Sequence, residues 1–387
     1  MSPIAGSAAA IKGGALRKEL LAMRSQCLSI LSLPTLRPSI ISIASHRPPS
    51  ESYVVTMSGR EFGDGYLVPR LPLWIQGGAI RWAKVEVEGQ PVRLIFPTAP
   101  KATGGQLVLP LEEPMYQGRR LPEAKGVRVD WGNLDTRHNS HLVKALRFVA
   151  PLEPLRDKQP HELPPRLGWL RRAWIPWYEV VQDWLAAWTG LLREQWGEGL
   201  PEPVVSALAE MKGLRGLVLA SSSVASHGPQ RAATAAELRA AFVCAGQKRQ
   251  IPPQWALLVR SRSAHFQQRY RDCVIDACTA SESSISEWIQ ATLARRSVPF
   301  EAQEVVTKQA NGIVGLAEVA ASLGLTLPRS RGAISNELAG PRNRAVHAGA
   351  VLDVETATKA FRLANAMVAT VAPMPSPASI LRRRVPR

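Results

Sequence analysis

Apolar and polar positions alternate along the first part of the chain and change to helical spacing later. Ala83-Lys84-Val85-Glu86-Val87-Glu88 has a period of two, Gly89-Gln90 turns, and Pro91-Val92-Arg93-Leu94-Ile95-Phe96 returns. That pattern predicts a β-hairpin. Residues 106–111 and 126–131 are two further strand candidates, separated by Pro- and Gly-rich turns. A small antiparallel sheet within residues 52–150 accommodates them.

Residues 166–200 differ. They hold six tryptophans: Trp169, Trp174, Trp177, Trp184, Trp188 and Trp196. A helix is predicted from Pro176 onward, with the proline near its first turn. Trp177, Val181, Trp184, Trp188 and Leu191 share one face at helical spacing. Such a stripe reads as core or as a domain interface. The other reading is a base-stacking platform, for which Arg171-Arg172 beside Trp174 are the suggestive neighbours.

Residues 221–235 are Ser-, Gly- and Pro-rich and read as a linker. Beyond them the spacing is helical to about residue 372. Helices are predicted over 253–267, 270–296 and 301–323, the last stopped by Gly324. The second of these places Tyr270, Val274, Cys278, Ile285, Trp288, Ile289 and Leu293 mainly on one side. A fourth helix spans the stretch around 341–347 and ends at Gly349, a natural C′ residue. A fifth starts after Asp353, an N-cap with Glu355 in the first turn, and ends before Pro373. These helices form an up-and-down bundle.

The fold class is therefore α+β, a β-rich N-terminal domain with a Trp-rich helix followed by an all-α bundle. The expected divisions are a leader over 1–56, the β-rich domain over 57–220, a linker and short helix over 221–250, the bundle over 251–372, and a basic disordered tail over 373–387. The leader reads as a disordered or transit-like segment, or as sequence upstream of a start at Met57.

The 387 residues suffice for two domains with real cores, and no apolar run approaches a membrane span. Cys27, Cys244, Cys273 and Cys278 show neither metal-ligand spacing nor a disulfide framework. A reducing compartment, the cytoplasm, is expected. The net charge is +17, of which residues 1–50 carry +5 and the tail after Ile380 carries +4. A basic chain favours polyanions, but half of this excess lies in predicted tails. An Arg-rich soluble protein accounts for it equally well.

The residues that carry chemistry lie in Pro341-Arg342-Asn343-Arg344-Ala345-Val346-His347-Ala348-Gly349. Arg342 and His347 are about 140° apart and about 7.5 Å along a helix axis, and Asn343 and His347 lie on one face. The same five-residue Arg-to-His spacing recurs at Arg156/His161, in a Pro-crowded stretch no helix can hold, and at Arg260/His265, where Ser261 replaces the amide. Arg342 and Arg344 follow Gly340-Pro341, where a helix starts or kinks. Cations at a helix start oppose the macrodipole at about 0.3–1 kcal/mol each, and such a broken local rule points to function. The alternative is that Asn343 and His347 only cap or pack the helix, with both arginines solvated. No phosphate-binding Gly loop, zinc spacing or Gly-x-Ser-x-Gly elbow is present in the sequence. His138 and His141 are a weak metal hint, more readily read as a polar loop.

The region from Pro252 to Val371 resembles HEPN domains, close to their abortive-infection and anti-phage branches. The resemblance rests on two stretches. Val274-Ile275-Asp276-Ala277-Cys278-Thr279-Ala280-Ser281-Glu282 is similar to the family's Ala-rich helix ending in an acid. Arg342 to His347 is similar to its Arg-polar-x-x-x-His signature. The resemblance implies a metal-independent endoribonuclease that dimerises. It implies Arg342 and His347 as the catalytic pair, Asn343 as polar positioner and Glu282 as supporting acid. Arg344 would contact substrate. No metal or cofactor is called for.

A neutral imidazole suits abstraction of a ribose 2′-OH proton, and a guanidinium suits the phosphate charge that develops. Expected products are a 2′,3′-cyclic phosphate and a 5′-OH. The leading reading is thus an RNase effector, defence- or toxin-like, with residues 57–235 as sensor or regulator. Its partners would be RNA, a second copy of the chain and possible regulatory proteins, with no membrane. The alternatives are a non-catalytic helical module binding RNA, a nucleotide or a protein, and a structural dimeriser using its Trp-rich region.

Overall fold

A computed structural model describes residues 62–69, 72–77, 80–99, 106–107, 115–116, 119–120, 128–129, 131–135, 140–152, 168–190, 204–207, 218–219, 231–347 and 349–382. The predicted hairpin forms as β3 (Trp82–Val87) and β4 (Gln90–Ile95), paired antiparallel. Its turn lies one residue earlier than expected, because Val87 pairs with Gln90 and leaves Glu88-Gly89 as the loop. Glu88 has φ +48° and Gly89 φ +72°, the two positive values a tight hairpin turn requires. Glycine supplies the second, and Glu88 is tied down by an ion pair to Lys248 at 2.9 Å.

The hairpin is one edge of a five-stranded antiparallel sheet, ordered β11-β1-β10-β4-β3. Here β1 is Phe62–Val68, β10 is Leu146–Pro151 and β11 is Val204–Ala207. A second, antiparallel sheet joins β2 (Leu73–Gln76), β9 (Ser140–Val143) and β8 (Gly132–Asp135). Short pairs complete the set: β5 (Met115–Tyr116) with β6 (Arg119–Arg120), and β7 (Arg128–Val129) parallel to β12 (Val218–Leu219). Of the two further strand candidates, 126–131 holds β7, with residues 126, 127 and 130 outside the described residues, and 106–111 is represented by one bridge from Gln106 to Asn133. Residues 108–111 lie outside the described residues. His141 is not in a polar loop. It sits buried on β9, where burial holds its imidazole below the ordinary value. His138 is outside the described residues.

The Trp-rich helix, α1 (Gly168–Thr189), begins two turns before Pro176, which lies inside it. An interior proline costs about 3 kcal/mol. Burial of Leu170 and Trp174 upstream, at about 1.5–3 kcal/mol for side chains of this size, offsets that cost. Trp174, Trp177 and Trp184 lie in the core with Val85, Leu94 and Phe148. The stripe is therefore packing, not a solvent-facing platform. Leu191 and Trp196 lie outside the described residues. Buried indoles need an acceptor, and several find backbone carbonyls: Trp177 Nε1 donates to Glu86 at 2.8 Å, Trp184 to Arg249 at 2.8 Å, and Trp169 to Pro151 at 3.1 Å.

Residues 231–250, expected as linker and short helix, belong to this core. Helix α2 (Ala235–Gly246) opens with a capping box between Thr234 and Glu237 and buries Leu238, Ala241 and Phe242. Phe242 stacks on Trp177 at 5.5 Å. Gly246 abuts β3: a Cβ there would lie 3.1 Å from the Glu86 carbonyl oxygen.

A second core is helical. Helices α3 (Pro253–Phe266) and α4 (Tyr270–Arg295) match their predicted spans closely. The predicted helix 301–323 is two: α5 (Phe300–Gln309) and α6 (Gly312–Ser322). The chain breaks where Ala310 is extended and Gly312 takes φ +67°, and Gly324 at φ +100° follows α6 as expected. Next come α7 (Arg331–Ile334), a π-helical turn (Ser335–Ala339), α8 (Gly340–His347) and α9 (Val354–Val371). Asp353 caps α9 as predicted, accepting from the Thr356 N–H at 2.7 Å. Val274, Cys278, Ile285, Leu338, Ala345, Ala364 and Val368 lie in this core.

Residues 373–382 are not a disordered tail. Trp255 Nε1 donates to the Ala372 carbonyl at 2.8 Å and Trp188 Nε1 to that of Pro375 at 3.1 Å. Helix α10 (Pro377–Arg382) then sets Ile380 into the first core. Burial of Ile380, at about 1.5–3 kcal/mol for a side chain of its size, favours that placement. Among the described residues no helix is long and apolar enough to cross a membrane. The fold is mixed α+β, with the sheets and α1, α2 and α10 around one core and α3–α9 around the other.

Replacing Trp184 by Phe removes the bond to Arg249 and orphans a carbonyl. Urea unfolding followed by circular dichroism is expected to show a loss of about 1–3 kcal/mol; an unchanged midpoint would contradict the role given to that indole.

Candidate functional site

Arg331 to His347 is one helical run, α7, the π turn and α8 without interruption. Ser330 begins it, its hydroxyl accepting from the Ala333 N–H at 3.3 Å. Pro341 lies inside. Proline has no N–H to give and its ring crowds the preceding turn. The widened turn fits this: the Gly340 N–H reaches back five residues to the Ser335 carbonyl. The motif therefore does not stand at a helix start. Arg342 lies in the second half of the run, and Arg344 and His347 in its last turn, where positive charge is favoured by the macrodipole. The expected electrostatic penalty does not exist here. What marks the segment instead is the π turn, a feature common next to functional groups.

The end of α8 is tightly finished. Gly349 takes φ +59° as expected of a C′ glycine. The Ala350 N–H donates to the Arg344 carbonyl at 3.2 Å. Arg271, from the first turn of α4, donates its Nε–H to the Ala345 carbonyl at 3.0 Å.

Two of the expected site residues, on different helices, influence each other electrostatically. Glu282 on α4 and Arg342 on α8 are both half-buried and feel each other's charge, but no hydrogen bond or ion pair within 4.0 Å joins them; Asn343 beside Arg342 is exposed. Burial pushes the Glu282 carboxyl above the usual carboxylate range. The Arg342 charge, the Ile313 N–H at the start of α6 and the Cys278 side chain each pull it back. Glu282 thus links α4 to α6 through Ile313 and lies within electrostatic reach of α8, half-buried rather than exposed. Arg342 Nη1 also donates to Asn343 Oδ1 at 3.3 Å.

His347 is exposed and makes no hydrogen bond or ion pair among the described residues. No hydrogen bond joins it to Arg342. Arg344 is exposed as well. The imidazole and the guanidinium therefore share a helix but do not touch. Val346, Val351 and Val354 stand out in solvent around the same helix end, Val351 almost fully.

The matching spacing on α3 is a useful contrast. Arg260 pairs with Asp276 at 3.2 Å, and Ser261 donates to the Cys273 carbonyl at 2.8 Å. His265 Nε2 lies 2.8 Å from Thr358 Oγ1, whose own proton goes to the Val354 carbonyl. His265 must then be the donor, and Arg260, Ser261 and His265 of that copy each have a partner. Arg156 and His161 are outside the described residues.

Sequence reasoning missed Arg271. Its signal was a cation in the first turn of a helix with no acid four residues on. Asp272 is taken by Arg269 at 3.1 Å and Asp276 by Arg260. Among the described residues no three His, Cys, Asp or Glu side chains converge as a metal-ligand set. Comparisons with protein-family models, with curated proteins and with solved structures find no match to the chain.

A carboxyl raised in the folded chain binds its proton more tightly there than in the unfolded chain. Its stabilising contribution is present below about pH 4.5 and is lost as pH rises through the folded value. Glu282→Gln abolishes that loss. The stability of Glu282→Gln relative to wild type is expected to improve from about pH 4 to about pH 7, as read from unfolding curves at each pH. A flat difference would refute the burial of an ionisable Glu282.

Proposed function

We propose that residues 251–372 form a HEPN-type, metal-independent endoribonuclease. One observation carries this reading. His347 is left exposed and unpaired on the helix whose Arg342 lies within electrostatic reach of Glu282, while in the other copy Arg260 is paired with Asp276 and His265 with Thr358. A histidine retained at a helix end without a structural partner is free for proton transfer.

In this reading the Arg342 guanidinium holds the scissile phosphate and stabilises the charge gained in the transition state. Glu282 keeps that guanidinium oriented. Asn343 positions the phosphate, and Arg344 holds the neighbouring backbone. The His347 imidazole takes the 2′-OH proton, the 2′-oxygen attacks phosphorus, and the P–O5′ bond breaks. The products are a 2′,3′-cyclic phosphate and a 5′-OH, whose proton comes from solvent. DNA has no 2′-OH and is not cut. No metal or cofactor enters this chemistry.

The exposed Val346, Val351 and Val354 beside His347 favour a second copy of the chain at this end, since apolar surface gains by leaving water. The Trp188- and Trp255-bonded segment that ties α9 to the first core supports a regulatory role for the β-rich unit, through a partner or ligand. A cytoplasmic defence or toxin-like effector is the biological setting this reading implies.

With EDTA present, wild type is expected to cut labelled RNA, and His347→Ala and Arg342→Ala are each expected to lose about 10²–10⁴-fold in rate. Equal RNA decay in all three would reject the enzyme and leave a binding module. Val351→Asp is expected to shift the chain from dimer toward monomer in sedimentation velocity. A dimer of unaltered strength would place the interface elsewhere.

A further inference from the structure

Arg271 lies on α4, seventy-four positions from the carbonyl it touches at the end of α8. Among the described residues that bond is its only one, so a single N–H of the five on its guanidinium is engaged. The residue is exposed. The carboxylates nearest in sequence, Asp272 and Asp276, already pair with Arg269 and Arg260. Arg271 is therefore an uncompensated cation. The Ala345 carbonyl holds it at the helix end where His347 stands, about 3 Å further along the axis.

A bond through Nε fixes the plane of a guanidinium and leaves both Nη groups as a fork. Such a fork matches the spacing of two phosphate oxygens. Arg342 lies within electrostatic reach of Glu282, so its charge is partly offset. The charge of Arg271 is not.

We infer that Arg271 is a phosphate-binding residue that grips an RNA backbone phosphate next to the one being cut. The inference deepens the ribonuclease reading and rests on it for the identity of the polyanion. Arg271 is a binding residue here, with no part in proton transfer. It also gives the site a contact from a second helix, so that the strand is held from α4 as well as from α8.

The test uses the full chain carrying His347→Ala, so that RNA survives the measurement. Binding of a short labelled single-stranded RNA is followed across a salt series in three proteins: the parent, Arg271→Gln, which loses the charge, and Arg271→Lys, which keeps it. Arg271→Gln is expected to bind more weakly and to lower the slope of log K against log salt by about 0.7, the value for one phosphate contact on a single strand. Arg271→Lys is expected to retain the parent slope.

If Arg271 only capped α8, both variants would shift the unfolding midpoint and neither would change the slope, and that result overturns the inference. So does an absence of RNA binding by the parent. Should Arg271→Gln not fold, phenylglyoxal labelling of Arg271 in the parent protein, read by mass spectrometry, replaces it. RNA is expected to slow that labelling, and no protection would be equally fatal. The two readings fail separately. RNA left intact by wild type with a reduced slope in Arg271→Gln removes cleavage and keeps the contact. Cleavage with an unaltered slope does the reverse.

Discussion

A buried indole is apolar everywhere except at one N–H, which gains from a carbonyl acceptor; on α1 Trp169, Trp177, Trp184 and Trp188 find one, and Trp174 does not. This preference organises the chain. Trp177 bonds the β3–β4 hairpin through Glu86, Trp184 bonds the segment after α2 through Arg249, and Trp188 bonds the segment after α9 through Pro375. Each ring fills core volume while its single donor selects a partner from a different part of the chain. Helix α1 is thereby held to the hairpin, to α2 and to the C-terminal segment. The interior Pro176 is tolerated because the helix is held on both sides of it, by the bond of Trp169 to Pro151 upstream and by these bonds downstream.

The helical unit inherits its placement from the same arrangement. Trp255 on α3 bonds the end of α9 at Ala372, three residues before the Trp188 contact. The connection between the two cores is therefore fastened at both ends. Within the helical core, Glu282 has the corresponding role. It is charged or protonated at a junction of α4, α6 and α8, balanced between burial, the Ile313 N–H and Arg342. The site is built around this junction and around the finished end of α8, where Gly349, Ala350 and Arg271 close the last turn.

The contrast between the two spacings arises from how their helices pack. Two Arg-to-His spacings lie on helices, and as strings they share two arginines and the histidine and differ at the other three positions. On α3 the helix lies against α4 and α9, so Arg260, Ser261 and His265 all find partners there. On α8 the buried positions are Pro341 and Ala345, and the polar residues between them are left to solvent or to Glu282. Small buried residues at that spacing keep the motif outward.

Local chemistry settled much of this protein. The β3–β4 hairpin, the Trp stripe as packing, the ends of α3 and α4, the Asp353 cap and the Gly349 stop all follow from periods, caps and positive-φ glycine, which act within a few residues. The Glu88-Gly89 turn slipped by one position because pairing register is decided between strands. Other features depended on partners far along the chain. Ile380 left its basic tail because a core elsewhere had room for it. Residues 310–312 broke a predicted helix, and Pro341 sat inside a run made possible by a π turn. Glu282 came within electrostatic reach of Arg342, sixty positions away, and Arg271 reached the end of α8. Short-range preferences fix which segments are helix or strand, but burial and charge neutralisation are satisfied only in three dimensions. Only the tertiary structure could therefore decide which cations remain free.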